Sequence, residues 1–117
     1  MLVYYNVDRD DYVEIEDSLR QIDCPRSYIR KAFRVLRSKN TGFTFSNTDY
    51  QMSIVCISKT DSVEQFVNTS IHEAKHVQSH ICSYYQIDED SETAAYLIGY
   101  LVQRMYRYFA KLVKRYV

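Results

Sequence analysis

The stretch IHEAKHVQSH, residues 71–80, contains all three histidines of the chain. Residues four apart on an α-helix lie one above the other on one face, so His72 and His76 would present two imidazoles to the same point. Glu73 is rotated by about 100° from His72, which places its carboxylate beside that point. This H-E-x-x-H pattern predicts a zinc site with two histidine ligands and a glutamate acting as general base.

His80 requires separate treatment because it lies two helical turns beyond His72. That separation is about 12 Å along the helix axis, so a regular helix cannot bring all three histidines to one ion. We interpret His80 as a plain polar residue. The functional alternative is a hydrogen-bond donor at the end of the site.

A long helix is predicted around the motif. Asp61 and Glu64 have the spacing of a capping box, so the helix should open near Thr60 and run to about Cys82. Its apolar residues form one broad predicted packing stripe: Val63, Phe66, Val67, Ile71, Ala74, Val77 and Ile81. His72 and His76 lie nearly opposite the centre of this stripe, where they would line a polar groove.

A catalytic zinc site needs a third protein ligand and an open position. Glu92 is the best candidate, because 15 residues separate it from His76 and allow the chain to return antiparallel. The last helix is predicted from Ser91 nearly to the end. Ala95 and Gly99, on the side of Glu92, would let the two helices approach closely. The opposite side is a second predicted packing stripe: Ala94, Leu97, Leu101, Met105, Tyr108 and Leu112.

Further polar groups lie close to the motif in sequence. Tyr96 and Tyr100 project near the Glu92 side and could donate to a tetrahedral oxyanion. Asp88 could orient a ligand imidazole through a hydrogen bond, without binding the metal itself. Packing tyrosines and a solvated acidic loop are the alternative interpretations of these residues.

The N-terminal half combines strands and helices, which makes the predicted class α+β. Leu2–Val7 reads as a strand, and helical periodicity begins at Asp10 and again after Pro25. Residues 42–46 and 50–58 predict an antiparallel hairpin. The two N-terminal helices also suggest a helix-turn-helix, which leaves open a nucleic-acid module that uses them and the Arg/Lys-rich C-terminal segment.

Composition restricts the partners, the cellular compartment and the number of domains that fit this chain. The formal net charge is zero, which argues against nucleic acid and membrane as partners. Three cysteines without CxxC spacing predict reduced thiols in a cytoplasmic protein, and neither a secretory signal nor a membrane-spanning apolar run is recognisable. Only two glycines and one proline favour long helices, and 117 residues predict one domain spanning residues 1–117.

HEAKH followed by ETAA resembles the HExxH…ExxA pattern of the gluzincin metallopeptidases. The likeness covers residues 43 to about 105, and the size resembles that of the single-domain minigluzincins. It implies a small zincin-like fold in which a short antiparallel sheet packs on the motif helix and the last helix. His72, His76 and Glu92 would bind Zn²⁺, and Glu73 would act as general base on a zinc-activated water. The strand YQMSIVCIS matches the family's edge strand above the cleft, which would align a peptide or protein substrate.

A catalytically inactive protein of the same fold is the alternative. No position matches the family's residue that stabilises the transition state, and the small size leaves little surface for a substrate. In this alternative the zinc is structural or vestigial, and the tyrosine-rich surface and the basic last helix contact a partner. The sequence sets neither the substrate nor the oligomeric state.

Overall fold

In the computed structural model the backbone is described for residues 1–116 and the side chains for residues 1–105. The chain forms two compact units, Met1–Asp61 and Ser62–Val117. The first contains strands and helices, and the second contains two long helices. The predicted α+β class is confirmed.

The first unit contains a three-stranded sheet: β1 (Leu2–Val7), β2 (Gly42–Asn47) and β3 (Met52–Ser58). The predicted hairpin is confirmed, because β2 pairs antiparallel with β3. The sheet is nevertheless mixed, since β1 pairs in parallel with the other side of β3. The order is therefore β1-β3-β2.

The strand predicted at the sheet edge is in fact the central one. Both sides of β3 are used by neighbouring strands, and residues 53–58 are buried. The prediction that this strand is an edge strand that aligns a peptide is therefore wrong. A strand with both edges paired has no free row of N–H and C=O groups to offer. Its run of consecutive apolar residues is typical of a strand buried on both faces.

Helices α1 (Tyr12–Gln21) and α2 (Arg26–Leu36) complete this unit. As predicted, Pro25 precedes the first turn of α2, where its fixed φ suits a helix start. The apolar faces of both helices pack with the sheet in one buried cluster, which includes Ile15, Leu19, Ile29, Leu36, Val7 and Ile54. The α1–α2 turn is tied to the β2–β3 turn by Asn47, whose Nδ2 donates to the Ile22 carbonyl at 2.9 Å.

The second unit is a helical hairpin of α3 (Val63–Tyr85) and α4 (Glu92–Tyr116). Helix α3 begins later than predicted, because Ser62 is its N-cap and accepts from the Gln65 backbone N–H. The capping box assigned to Asp61 is wrong. The Asp61 carboxylate instead accepts from Asn40 Nδ2 at 3.0 Å and pairs with Lys39 at 3.3 Å.

None of the three cysteines, Cys24, Cys56 and Cys82, forms a disulfide, and all three are buried. This agrees with the predicted reduced thiols. Through residue 116, no helix is both long enough and apolar enough to cross a membrane.

Candidate metal site on helix α3

His72 and His76 stand side by side on an exposed face of α3, as the i, i+4 spacing predicts. Their Nε2 atoms are 3.2 Å apart, and the two rings meet edge to face with centroids 4.9 Å apart. Two nitrogens bound to one tetrahedral zinc at about 2.0–2.1 Å would lie roughly 3.3–3.4 Å apart. The imidazoles are therefore spaced as two ligands of one ion, and the donor set fits zinc.

Glu73 completes the group. Its Oε2 lies 3.9 Å from His72 Nε2, and one donor atom from each of the three residues falls within 4.8 Å of the others. The Glu73 separation exceeds the roughly 3.3–3.4 Å expected between two ligands of a tetrahedral ion. This spacing suits a base beside the metal better than a third ligand.

Glu73 differs from the histidines in its exposure. It is only 4 % exposed, whereas both histidine side chains face solvent. A buried carboxylate loses hydration, and fixed polar neighbours must replace that hydration. The site therefore lies at the boundary between the exposed face of α3 and its buried face.

The buried face of α3 is rotated relative to the predicted apolar stripe. Val67 and Ile71 are about 40 % exposed, so their assignment to the packing stripe is wrong. Buried polar residues replace them on that face, and its members are Phe66, Thr69, Ser70, Glu73, Ala74, Val77, Gln78 and Cys82. An apolar pattern cannot predict burial of this kind, because half of the buried positions on α3 are polar.

The structure does not bring Glu92 into the group of His72, Glu73 and His76. Glu92 is the first residue of α4, and its carboxylate is exposed. Gln78 Nε2 donates to the Ala94 carbonyl at 2.8 Å, which fixes the register of the two helices. Since six residues join them as an antiparallel hairpin, Glu92 is level with the part of α3 beyond Gln78, away from His72.

The packing of α4 is confirmed on one side and corrected on the other. Ala94, Leu101 and Met105 are buried, as the second stripe predicts. The predicted stripe positions Tyr108 and Leu112 lie outside the described side chains. The close helix approach predicted at Ala95 and Gly99 is wrong, because Ala95 is exposed and a Cβ on Gly99 would meet no neighbouring atom of the described residues within 4 Å.

The other predicted site residues lie on α3, on α4 and in the connector between these helices. Tyr96 and Tyr100 are 73 % and 55 % exposed on α4, and His80 is half-buried one turn after His76. Asp88 serves the connector, where its Oδ1 accepts from the Asp90 backbone N–H at 3.0 Å. Neither His80 nor Asp88 belongs to the cluster of potential metal ligands in the described chain.

Sequence reasoning missed a polar network next to the site. Lys75 Nζ donates to Gln78 Oε1 and pairs with Glu89 at 3.2 Å, and Ser79 Oγ donates to the same carboxylate. The Lys75–Gln78 spacing of three residues is a visible helical signal. Glu89 carried no such signal, since its position depends on how the connector folds. This network links α3 to the loop that leads into α4.

No protein-family model, curated protein or solved structure matches this chain.

Proposed function

We propose that the protein is a zinc-dependent hydrolase with peptide bonds as its substrate class. The observation that carries the proposal is the 3.2 Å separation of the His72 and His76 Nε2 atoms beside the Glu73 carboxylate. That arrangement combines the donor spacing of a zinc ion with a base positioned off the metal. The peptide substrate rests on the resemblance of HEAKH and ETAA to the gluzincin pattern.

When bound, zinc would act as a Lewis acid that polarises a carbonyl and acidifies a water. Glu73 Oε2 would accept a proton from the attacking water and return it to the leaving amine. Its low exposure favours this role, since electrostatic interactions are stronger where water is excluded. His72 and His76 would hold the ion at the exposed end of the same group.

Glu92 remains the proposed third ligand on the resemblance alone, because its carboxylate lies outside the group of His72, Glu73 and His76. Its carboxylate is exposed and makes no hydrogen bond or ion pair with any described residue, so it is available to a cation. Tyr96 and Tyr100 are proposed as oxyanion donors from the same helix. Alignment of the substrate by β3 is not part of the proposal, because neither edge of that strand is free. A cytoplasmic location is proposed because the three cysteines form no disulfide.

Glu73→Gln tests the catalytic part of the proposal. The amide keeps the size of the side chain but cannot accept the water's proton. We expect hydrolysis of a mixed peptide library to fall by roughly 10²–10⁴-fold while bound zinc stays at one per chain. Glu64→Gln is the matched control, because Glu64 is an exposed glutamate in the first turn of the same helix. Hydrolysis that is unchanged in Glu73→Gln would refute the assigned role.

A metal-binding interaction protein without catalytic activity is the second candidate. The position of Glu92 outside the histidine group favours it, because two histidines alone form an incomplete catalytic site. In that case zinc binds to the wild-type protein and to Glu73→Gln alike, and neither cleaves any peptide in the library. If both proteins bind zinc and only the wild type cleaves a peptide, the hydrolase is favoured.

A further inference from the structure

Helix α2 carries a row of arginines that the zinc site does not use. Ser27, Arg30, Arg34 and Arg37 line a concave surface with a volume of about 430 Å³. Their spacing of three, four and three residues places them on one face of the helix. From Arg30 to Arg37 the row extends about 10 Å along the axis.

These three guanidinium groups have no partner among the described residues. Arg20 on α1 pairs with Glu16 at 2.8 Å, but Arg30, Arg34 and Arg37 make no ion pair or hydrogen bond within the described chain. Residues 24–48 contain no acid, and residues 26–39 contain six cations. A neutral total charge therefore conceals a strongly positive local surface. Like charges repel on a helix face, and a bound anion would relieve that repulsion.

The chemistry of the row points to phosphate. A guanidinium offers a planar fork of donors that matches phosphate oxygens and stays charged at all working pH values. A row about 10 Å long exceeds one phosphate group and suits several in succession along a backbone. None of the residues that line the concavity is aromatic, which favours a duplex over a single strand, whose bases typically stack on aromatic side chains. The apolar face of α2 is buried in the core, so it cannot insert into a lipid surface.

We propose that this face of α2 binds the phosphate backbone of a duplex nucleic acid, independently of base sequence. Contacts to phosphate position a protein on the duplex and carry no direct sequence information. This inference is independent of zinc binding and of hydrolysis.

The test uses the full chain and a labelled DNA duplex of about 20 base pairs, with binding followed by fluorescence anisotropy over a series of salt concentrations. The variant replaces Arg30, Arg34 and Arg37 by Gln. We expect it to bind roughly 10–100-fold more weakly at low salt and to lose about 2.7 from the slope of log K against log salt. Arg20→Gln is the matched control, since Arg20 is an exposed arginine that is already paired. Its binding should stay within about twofold of the wild type.

Arg34→Glu is the second variant. It changes a single exposed residue and therefore serves as the test if the triple replacement fails to fold. Loss of duplex binding in this variant, with unchanged helical circular dichroism, supports the proposal. Retained duplex binding in either variant would overturn it, as would an equal loss in Arg20→Gln. A wild-type protein that binds phosphatidylserine vesicles but no duplex would also overturn it, and would assign the face to a membrane surface.

Discussion

Removal of one histidine from α3 should abolish stabilisation by zinc. In the structure the His72 and His76 Nε2 atoms are 3.2 Å apart, within about 0.2 Å of the ligand spacing of tetrahedral zinc. Binding should therefore require little rearrangement of the helix. With free zinc at about 100 times the dissociation constant, the folded state gains about 2.7 kcal/mol. For a chain of this length that gain raises the melting temperature by about 10 °C.

The perturbation is His72→Ala. Changing a residue that only orients a ligand costs about 10–100-fold in metal affinity, so losing a ligand should cost at least the upper end of that range. The zinc concentration used for the wild type would then only equal the dissociation constant, and the stabilisation falls to about 0.4 kcal/mol. The melting temperature should then rise by about 1–2 °C on adding zinc.

The assay is thermal unfolding followed by the helical circular dichroism signal, with and without zinc, alongside measured zinc content. His80→Ala is the matched control, because His80 lies on the same helix outside the histidine pair. It should keep the full increment of about 10 °C. Equal increments in His72→Ala and the wild type would refute the site, as would a wild-type protein that zinc does not stabilise.

Three further predictions follow from the corrected cap and from two shifted pKa values. Ser62→Ala should lower the free energy of unfolding by about 1 kcal/mol in a urea titration through loss of the α3 cap, and an unchanged free energy of unfolding would contradict this assignment. Tyr50 donates to the Asp23 carboxylate at 2.7 Å, which raises the pKa of Tyr50 above its ordinary value of 10.0. This hydrogen bond should stabilise the fold fully below pH 10, and its contribution should be lost as the pH rises through the pKa of Tyr50 in the folded protein. The ionisation of Tyr50 can be followed as the difference in near-ultraviolet absorbance between the wild type and Tyr50→Phe. A Tyr50 pKa at or below 10 in this titration would disprove the prediction. Burial raises the pKa of the Cys24 thiol to about 11, so a thiol reagent just above neutral pH should modify Cys24 only after denaturation; rapid labelling of the folded protein, read by mass spectrometry, would contradict this.

Local patterns in the chain predicted the secondary structure closely. The strand Leu2–Val7, the start of α2 after Pro25 and the β2–β3 hairpin were all recovered, because each depends on residues close in sequence. The parallel pairing of β1 with β3 was not predicted. Paired residues of β1 and β3 lie 51 or 52 positions apart, so their pairing depends on how the whole unit packs, and no short pattern encodes that choice.

In the candidate site, too, some features depend on residues close in sequence and others depend on tertiary packing. The sequence alone determined that His72 and His76 share one helix face with Glu73 beside them, because a helix fixes the positions of residues one turn apart. Only the tertiary structure decided that Glu73 is buried, that Val67 and Ile71 are exposed, and that Glu92 lies apart from the pair. These features depend on how α3 is rotated and on its register with α4, which the Gln78–Ala94 hydrogen bond fixes. Rotation and register follow from packing over the whole hairpin, and helical periodicity does not determine them.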